Sequence, residues 1–100
     1  MVEIRESQVY RRWFDALRDA AARNRIMVRI RRLAEGNAGD AKSVGGNVSE
    51  LRIDYGPGYR IYFTRRGEEL ILLLMGGDKR TQWKDIAKAR ELADQWRNKQ

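Results

Sequence analysis

Four cations lie along one stretch of this chain at spacings that could gather them at a single site. Arg52, Arg60, Lys79 and Arg80 are carried by GNVSELRIDYGPGYRIYF, a short charged turn and ELILLLMGGDKRTQ, between Gly46 and Gln82. Read as a three-stranded antiparallel meander, this stretch sets Arg52 and Arg60 on one sheet face and Lys79 and Arg80 at a strand end beside them. Fixed guanidinium and ammonium groups bind phosphate, because several charge-assisted hydrogen bonds can converge on one anion. The chain has no His and no Cys. That removes the commonest zinc ligand, any thiolate site, the commonest general base and any disulfide. Hydrolysis through a His-held metal is excluded, no cofactor or metal is expected, and a phosphate backbone of RNA or DNA is the ligand class that remains.

The composition agrees. Lys and Arg number 21 against 14 Asp and Glu, a net charge of +7 that attracts polyanions at low salt. With 35% charged residues interspersed among 42% hydrophobic ones, the chain reads as a folded domain and not a basic tail. Its 100 residues suffice for a single domain spanning 1–100 with one two-layered core. The segment MVEIRESQ lacks the apolar stretch of a signal peptide, and the longest apolar run, Leu70 to Met75, is too short to cross a bilayer. A cytoplasmic protein without a membrane partner is expected.

The elements that must position these cations follow from periodicity. Val2 and Ile4 alternate with Glu3 and Arg5 as a short edge strand, and Ser7 offers a helix N-cap. Tyr10, Trp13, Phe14, Leu17 and Ala21 form one apolar stripe, predicting an amphipathic helix of about four turns with its aromatics in the core. Asn24 is expected to end it and cap a second helix, with Ile26, Met27, Ile30, Leu33 and Ala34 inward. The arginines outside that helix read first as a solvated face. Arg29 and Arg32 among them are candidates for backbone phosphate contacts.

Gly36 to Asn47 has four glycines and no apolar period, predicting a loop. Leu51 and Ile53 then face one way and Glu50, Arg52 and Asp54 the other, as in a strand buried on one side. After the turn Tyr55-Gly56-Pro57-Gly58, the residues Tyr59, Ile61 and Phe63 alternate with Arg60, Tyr62 and Thr64, so Tyr62 shares the Arg60 face and offers a stacking surface for a base. Leu70 to Met75 reads as a central strand that Gly76-Gly77 stops, and Trp83, Ile86, Ala89, Leu92, Ala93 and Trp96 mark a closing helix whose end, Arg97 to Gln100, frays. The fold class is α+β: a short N-terminal strand and a helical hairpin packed on a small, mainly antiparallel sheet, with a C-terminal helix.

On ELR, GPGYR and GGDK-x-TQ in that order, the chain resembles the RelE/ParE toxin superfamily, and within it the phage-derived addiction-module killer proteins related to HigB. The resemblance covers nearly the whole chain. It implies a toxin of a type II toxin–antitoxin module with a helix-turn-helix antitoxin as partner. RelE-type members cut messenger RNA on the ribosome, whereas ParE-type members inhibit DNA gyrase, and the shared fold does not choose between them. Carried over by motif position, the residues that act on RNA in the ribosome-dependent branch correspond to Arg52, Arg60 and Lys79.

Metal-free RNA cleavage through a 2′-OH needs a base, an acid and cations for the phosphorane charge. The two arginines suit the last task, because guanidinium stays protonated. Lys79 is nominated as the acid or base, since like charges around it disfavour its ammonium. Arg80 is a further phosphate contact or faces solvent. Relatives with strong ribonuclease activity often carry a Tyr or His near the start of the last helix, where this chain has Thr81-Gln82-Trp83-Lys84-Asp85. The expected function is therefore a ribosome-dependent messenger-RNA endonuclease, with a gyrase inhibitor or a non-catalytic basic nucleic-acid-binding module as alternatives.

Overall fold

The computed structural model describes residues 1–98. Strand β1 (Glu3–Glu6) leads into helices α1 (Gln8–Ala16) and α2 (Ala20–Ala34), and strands β2 (Ala41–Gly45), β3 (Val48–Ile53), β4 (Tyr59–Arg66) and β5 (Leu70–Asp78) follow. A short 3₁₀ turn, Lys79–Thr81, then runs into α3 (Gln82–Asn98). The sheet order is β1-β5-β4-β3-β2. All neighbours are antiparallel except β1 and β5, which pair in parallel with Ile4 beside Ile71. The α+β class with a helical hairpin and a closing helix is as expected.

Both sheet faces are covered. Tyr10 and Ile26 from the hairpin pack with Leu51, Ile53, Ile61, Phe63, Ile71 and Leu73 on one face. On the other, Val48, Tyr62, Leu72, Leu74 and Met75 pack with Ala89 and Ala93 of α3. Strand β3 is thus buried on both sides and not on one, and Glu50 lies in the interior at 0% exposure.

Several local expectations change. Helix α1 has nine residues and ends at Ala16, short of four turns. Ser7 caps it as expected, with its hydroxyl accepting from the Tyr10 amide at 3.0 Å. Asp19, not Asn24, caps α2: its carboxylate accepts from the amides of Ala21 and Ala22 at 3.0 and 3.2 Å. A carboxylate at the positive end of a helix dipole is the stronger cap, and Asn24 lies inside α2.

The glycine-rich segment is not all loop. Ala41–Gly45 forms β2, and Gly46-Asn47 closes its hairpin with β3, both at a φ of 62°. Two successive positive φ values fit the tight turn whose twist matches antiparallel strands. Nor do the paired glycines end β5. The strand continues to Asp78, and a bulge opposite Tyr62/Phe63 shifts its register so that Ile61 faces Gly76 and Arg60 faces Gly77.

Each glycine makes room on a different face. A Cβ at Gly76 would lie 2.2 Å from the Trp13 ring, and one at Gly77 would lie 2.1 Å from Asp85 Oδ2. Trp83, expected in the apolar stripe of α3, is 79% exposed. Arg97 and Asn98 are helical, and the rest of the expected frayed end, Lys99 and Gln100, lies outside the described residues.

Candidate functional site

Strands β3 and β4 set Arg52 and Arg60 directly across from each other on the α3 face. Like charges in that position repel, and each guanidinium is offset separately. Arg52 donates to Asp40 Oδ1 from Nε at 3.0 Å and from Nη2 at 2.6 Å. The Arg60 side chain is only 12% exposed. Its Nη1 donates to the carbonyls of Gly58 and Tyr59 at 3.1 and 3.2 Å, and its Nε lies 3.8 Å from Glu50 Oε1.

Lys79 opens the 3₁₀ turn that Asp78 caps by accepting from the Arg80 amide at 2.9 Å. Gly58, at a φ of 80°, fills the space between: a Cβ there would lie 3.4 Å from both Arg60 Nη1 and Lys79 Cβ. The result is an open cavity of about 370 Å³ lined by Asp40, Arg52, Asp54, Gly58, Arg60 and Lys79. Three cations meet there as the spacing suggested, but two carboxylates line it as well. Lys79 therefore sits in mixed charge and not among arginines alone.

The other nominated residues are placed elsewhere. Arg80 turns out to solvent at 81% exposure and pairs with Asp78, Nη2 to Oδ2 at 3.0 Å, which holds the Asp78 carboxyl below its ordinary range. Arg29 braces backbone: Nη1 donates to the Arg52 carbonyl at 2.6 Å, and Nη2 to the carbonyls of Ala38 and Asp40 at 3.2 and 3.3 Å. It is therefore engaged in tying the Asp40 segment to β3. Arg32 lines a separate cavity of about 260 Å³ against α2 with Arg25 and Val28. Tyr62 is fully buried beneath α3, so no ring face is open to a base, and burial above all pushes its hydroxyl up from its ordinary range.

Beneath the cavity lies a polar layer that the sequence pattern did not reveal. Gln82 Nε2 donates to Glu50 Oε2 at 2.7 Å, and Thr81 Oγ1 donates to Asp85 Oδ2 at 2.5 Å. Asp85 is itself buried at 9% exposure, over Gly77. Asp40 carried no sequence signal beyond its type, whereas Gln82 closes the GGDK-x-TQ motif and Glu50 opens ELR, without either motif showing that the two residues meet. Gly77 did carry one, since paired glycines in an apolar strand mark a close approach. Among the described residues no group of three His, Cys, Asp or Glu side chains could hold a metal ion, and no helix is long and apolar enough to cross a membrane.

Fold and site together define a small α+β protein whose mixed sheet presents an open cavity of three cations and two carboxylates at one end of β3 and β4. Residues 12–97, which include Arg52, Arg60 and Lys79, match the family described as Phage derived protein Gp49-like (DUF891), and the chain belongs to that family. It is a toxin-like family of toxin–antitoxin modules, which implies an antitoxin as partner. The chain is also 44% identical over 94 residues to an uncharacterized protein of Haemophilus influenzae, covering 94% of this chain and 95% of that protein.

Proposed function

We infer that this protein is the toxin of a type II toxin–antitoxin pair, a HigB-like member of the RelE/ParE superfamily that cuts messenger RNA on the ribosome without a metal. The observation that carries this reading is the convergence of Arg52, Arg60 and Lys79 on one open cavity. A scissile phosphate seated there receives donors from two arginines at the point where phosphorane charge develops.

Lys79, as an ammonium, donates its proton to the departing 5′-oxygen. Asp54 lines the same cavity and holds no ion pair among the described residues, which supports assigning it the proton of the attacking 2′-OH. The cleaved strand then carries a 2′,3′-cyclic phosphate and a free 5′-OH. The ribosome positions the message, supplying the orientation that so open a cavity does not. The helix-turn-helix antitoxin neutralises a +7 partner through complementary charge. Arg60→Ala should abolish growth arrest while the protein still folds, and retained toxicity in the folded variant would contradict the site assignment.

A second reading, a gyrase inhibitor without chemistry, is favoured by one observation. Trp83 on α3 is exposed at 79%, and Met27 and Val28 on α2 across the sheet at 55% and 38%, two separate apolar spots available to a protein partner. Unimpaired supercoiling by gyrase in the presence of excess protein would eliminate that reading.

A further inference from the structure

Glu50 is a carboxylate at 0% exposure on the same sheet face as the buried Val48, Tyr62, Leu72 and Leu74. A buried charge contributes less to stability than a well-packed apolar side chain of the same size, so packing alone gives no reason for a glutamate here. Its contacts do. Oε2 accepts from Gln82 at the first position of α3, and Oε1 faces Arg60 Nε at 3.8 Å. The pair is diagonal across the ladder, since Glu50 stands opposite Tyr62 and Arg52 opposite Arg60. Glu50 Oε1, Arg60 Nε and Tyr62 Oη are all buried without a hydrogen-bond partner. The Arg60 guanidinium is thus fixed on one side by the Gly58 and Tyr59 carbonyls and on the other only by the charge of Glu50.

The geometry points to Glu50 as a positioning residue. It orients Arg60 through charge and, by anchoring Gln82, ties β3 to the turn that carries Lys79. Arg60 on β4 and Lys79 beyond β5 therefore keep a fixed separation across the cavity. Asp85 secures the same turn from the other side by accepting from Thr81. The inference rests on the reading of Arg60 as a phosphate ligand. It adds a residue that touches no substrate.

A purely electrostatic role and a positioning role have opposite consequences. Neutralising a carboxylate beneath an anion site strengthens phosphate attraction, so if Glu50 acted only through its field, Glu50→Gln would bind and cleave at least as well as the wild type. If Glu50 positions Arg60, the same change lowers turnover without weakening binding, because a displaced guanidinium no longer meets the charge of the transition state.

The test is steady-state cleavage of messenger RNA on programmed ribosomes by wild type, Glu50→Gln and Gln82→Ala, with thermal melts of each. Glu50→Gln keeps the shape and can still accept from Gln82, so its melting midpoint should be no lower than that of the wild type. Its kcat should fall at least tenfold with KM unchanged or lower. An unchanged kcat, or a KM that rises in proportion as kcat falls, would overturn the inference. Should Glu50→Gln not fold, Gln82→Ala decides alone: a severalfold lower kcat at constant KM supports the anchor, and wild-type kinetics refutes it. Absence of cleavage by the wild type would overturn the proposed function itself, and this inference with it.

Discussion

Replacing Gly77 by alanine perturbs the junction between sheet and site at one atom. The new Cβ would lie 2.1 Å from Asp85 Oδ2 and 3.0 Å from Asp85 Cγ, where ordinary contact begins near 3.4 Å. The carboxylate must retreat by roughly 1.3 Å, the difference of those two oxygen distances, and the 2.5 Å bond from Thr81 cannot survive that movement unchanged. Overpacking of this kind costs about 1–3 kcal/mol and a hydrogen bond to a charged group about 1.5–3 kcal/mol, for a combined loss near 4 kcal/mol. In a domain of this size that lowers the melting midpoint by roughly 15–30 °C.

Urea denaturation of wild type, Gly77→Ala, Asp85→Ala and the double variant measures it. Asp85→Ala should be destabilising in the wild-type background and stabilising in the Gly77→Ala background, because there it removes the clash. A loss below about 1 kcal/mol in Gly77→Ala, or strictly additive effects in the double variant, would refute the argument that this glycine exists to admit Asp85.

Three further outcomes follow from the site. Tyr62→Phe removes a buried hydroxyl that stands opposite Glu50 without a bond of normal geometry, so stability should change by less than about 1 kcal/mol with toxicity intact; a toxicity loss would give that hydroxyl a function. Arg52→Ala breaks an exposed pair with Asp40 and should change stability by less than about 0.5 kcal/mol. It should also flatten the salt dependence of RNA binding by roughly 0.7 per lost phosphate contact, and an unchanged slope would remove Arg52 from the phosphate site. The Asp78 carboxyl is held low chiefly by Arg80, so that pair's contribution is present above the unfolded value of 3.8 and is lost as pH falls through the folded one. Urea midpoints of wild type and Asp78→Asn should therefore differ at neutral pH, draw together as pH falls below 3.8 and converge only below the folded value; a gap constant with pH would contradict this.

The fold was legible wherever a period was long or a turn chemically marked. The stripe in Tyr10–Leu17, the alternation in Leu51–Ile53 and Tyr59–Phe63, and the unbroken run Leu70–Met75 each predicted an element that exists. Strand β2 was missed because five residues, AKSVG, carry too little apolar pattern to outweigh the surrounding glycines; the marker present was Gly46-Asn47, a two-residue hairpin turn. The paired glycines of β5 were read as a stop because glycine weakens strands, yet each is required by a side chain from a remote element, Trp13 or Asp85.

The site was legible as a set of cations and illegible as a network. Register alone brought Arg52 and Arg60 together, since a period of two fixes the face. What neutralises them depends on tertiary packing, through Asp40 in an irregular segment and Glu50 beneath α3. Tyr62 shows the limit of alternation, which placed it correctly on the Arg60 face but could not show that α3 covers that part of it.

The central claim, that these cations cut messenger RNA on the ribosome, is tested most directly by primer extension on a reporter message after brief induction of the wild type and of Arg60→Ala. Cuts within translated regions should appear with the wild type and vanish in the folded variant. Growth arrest with intact messages would contradict it.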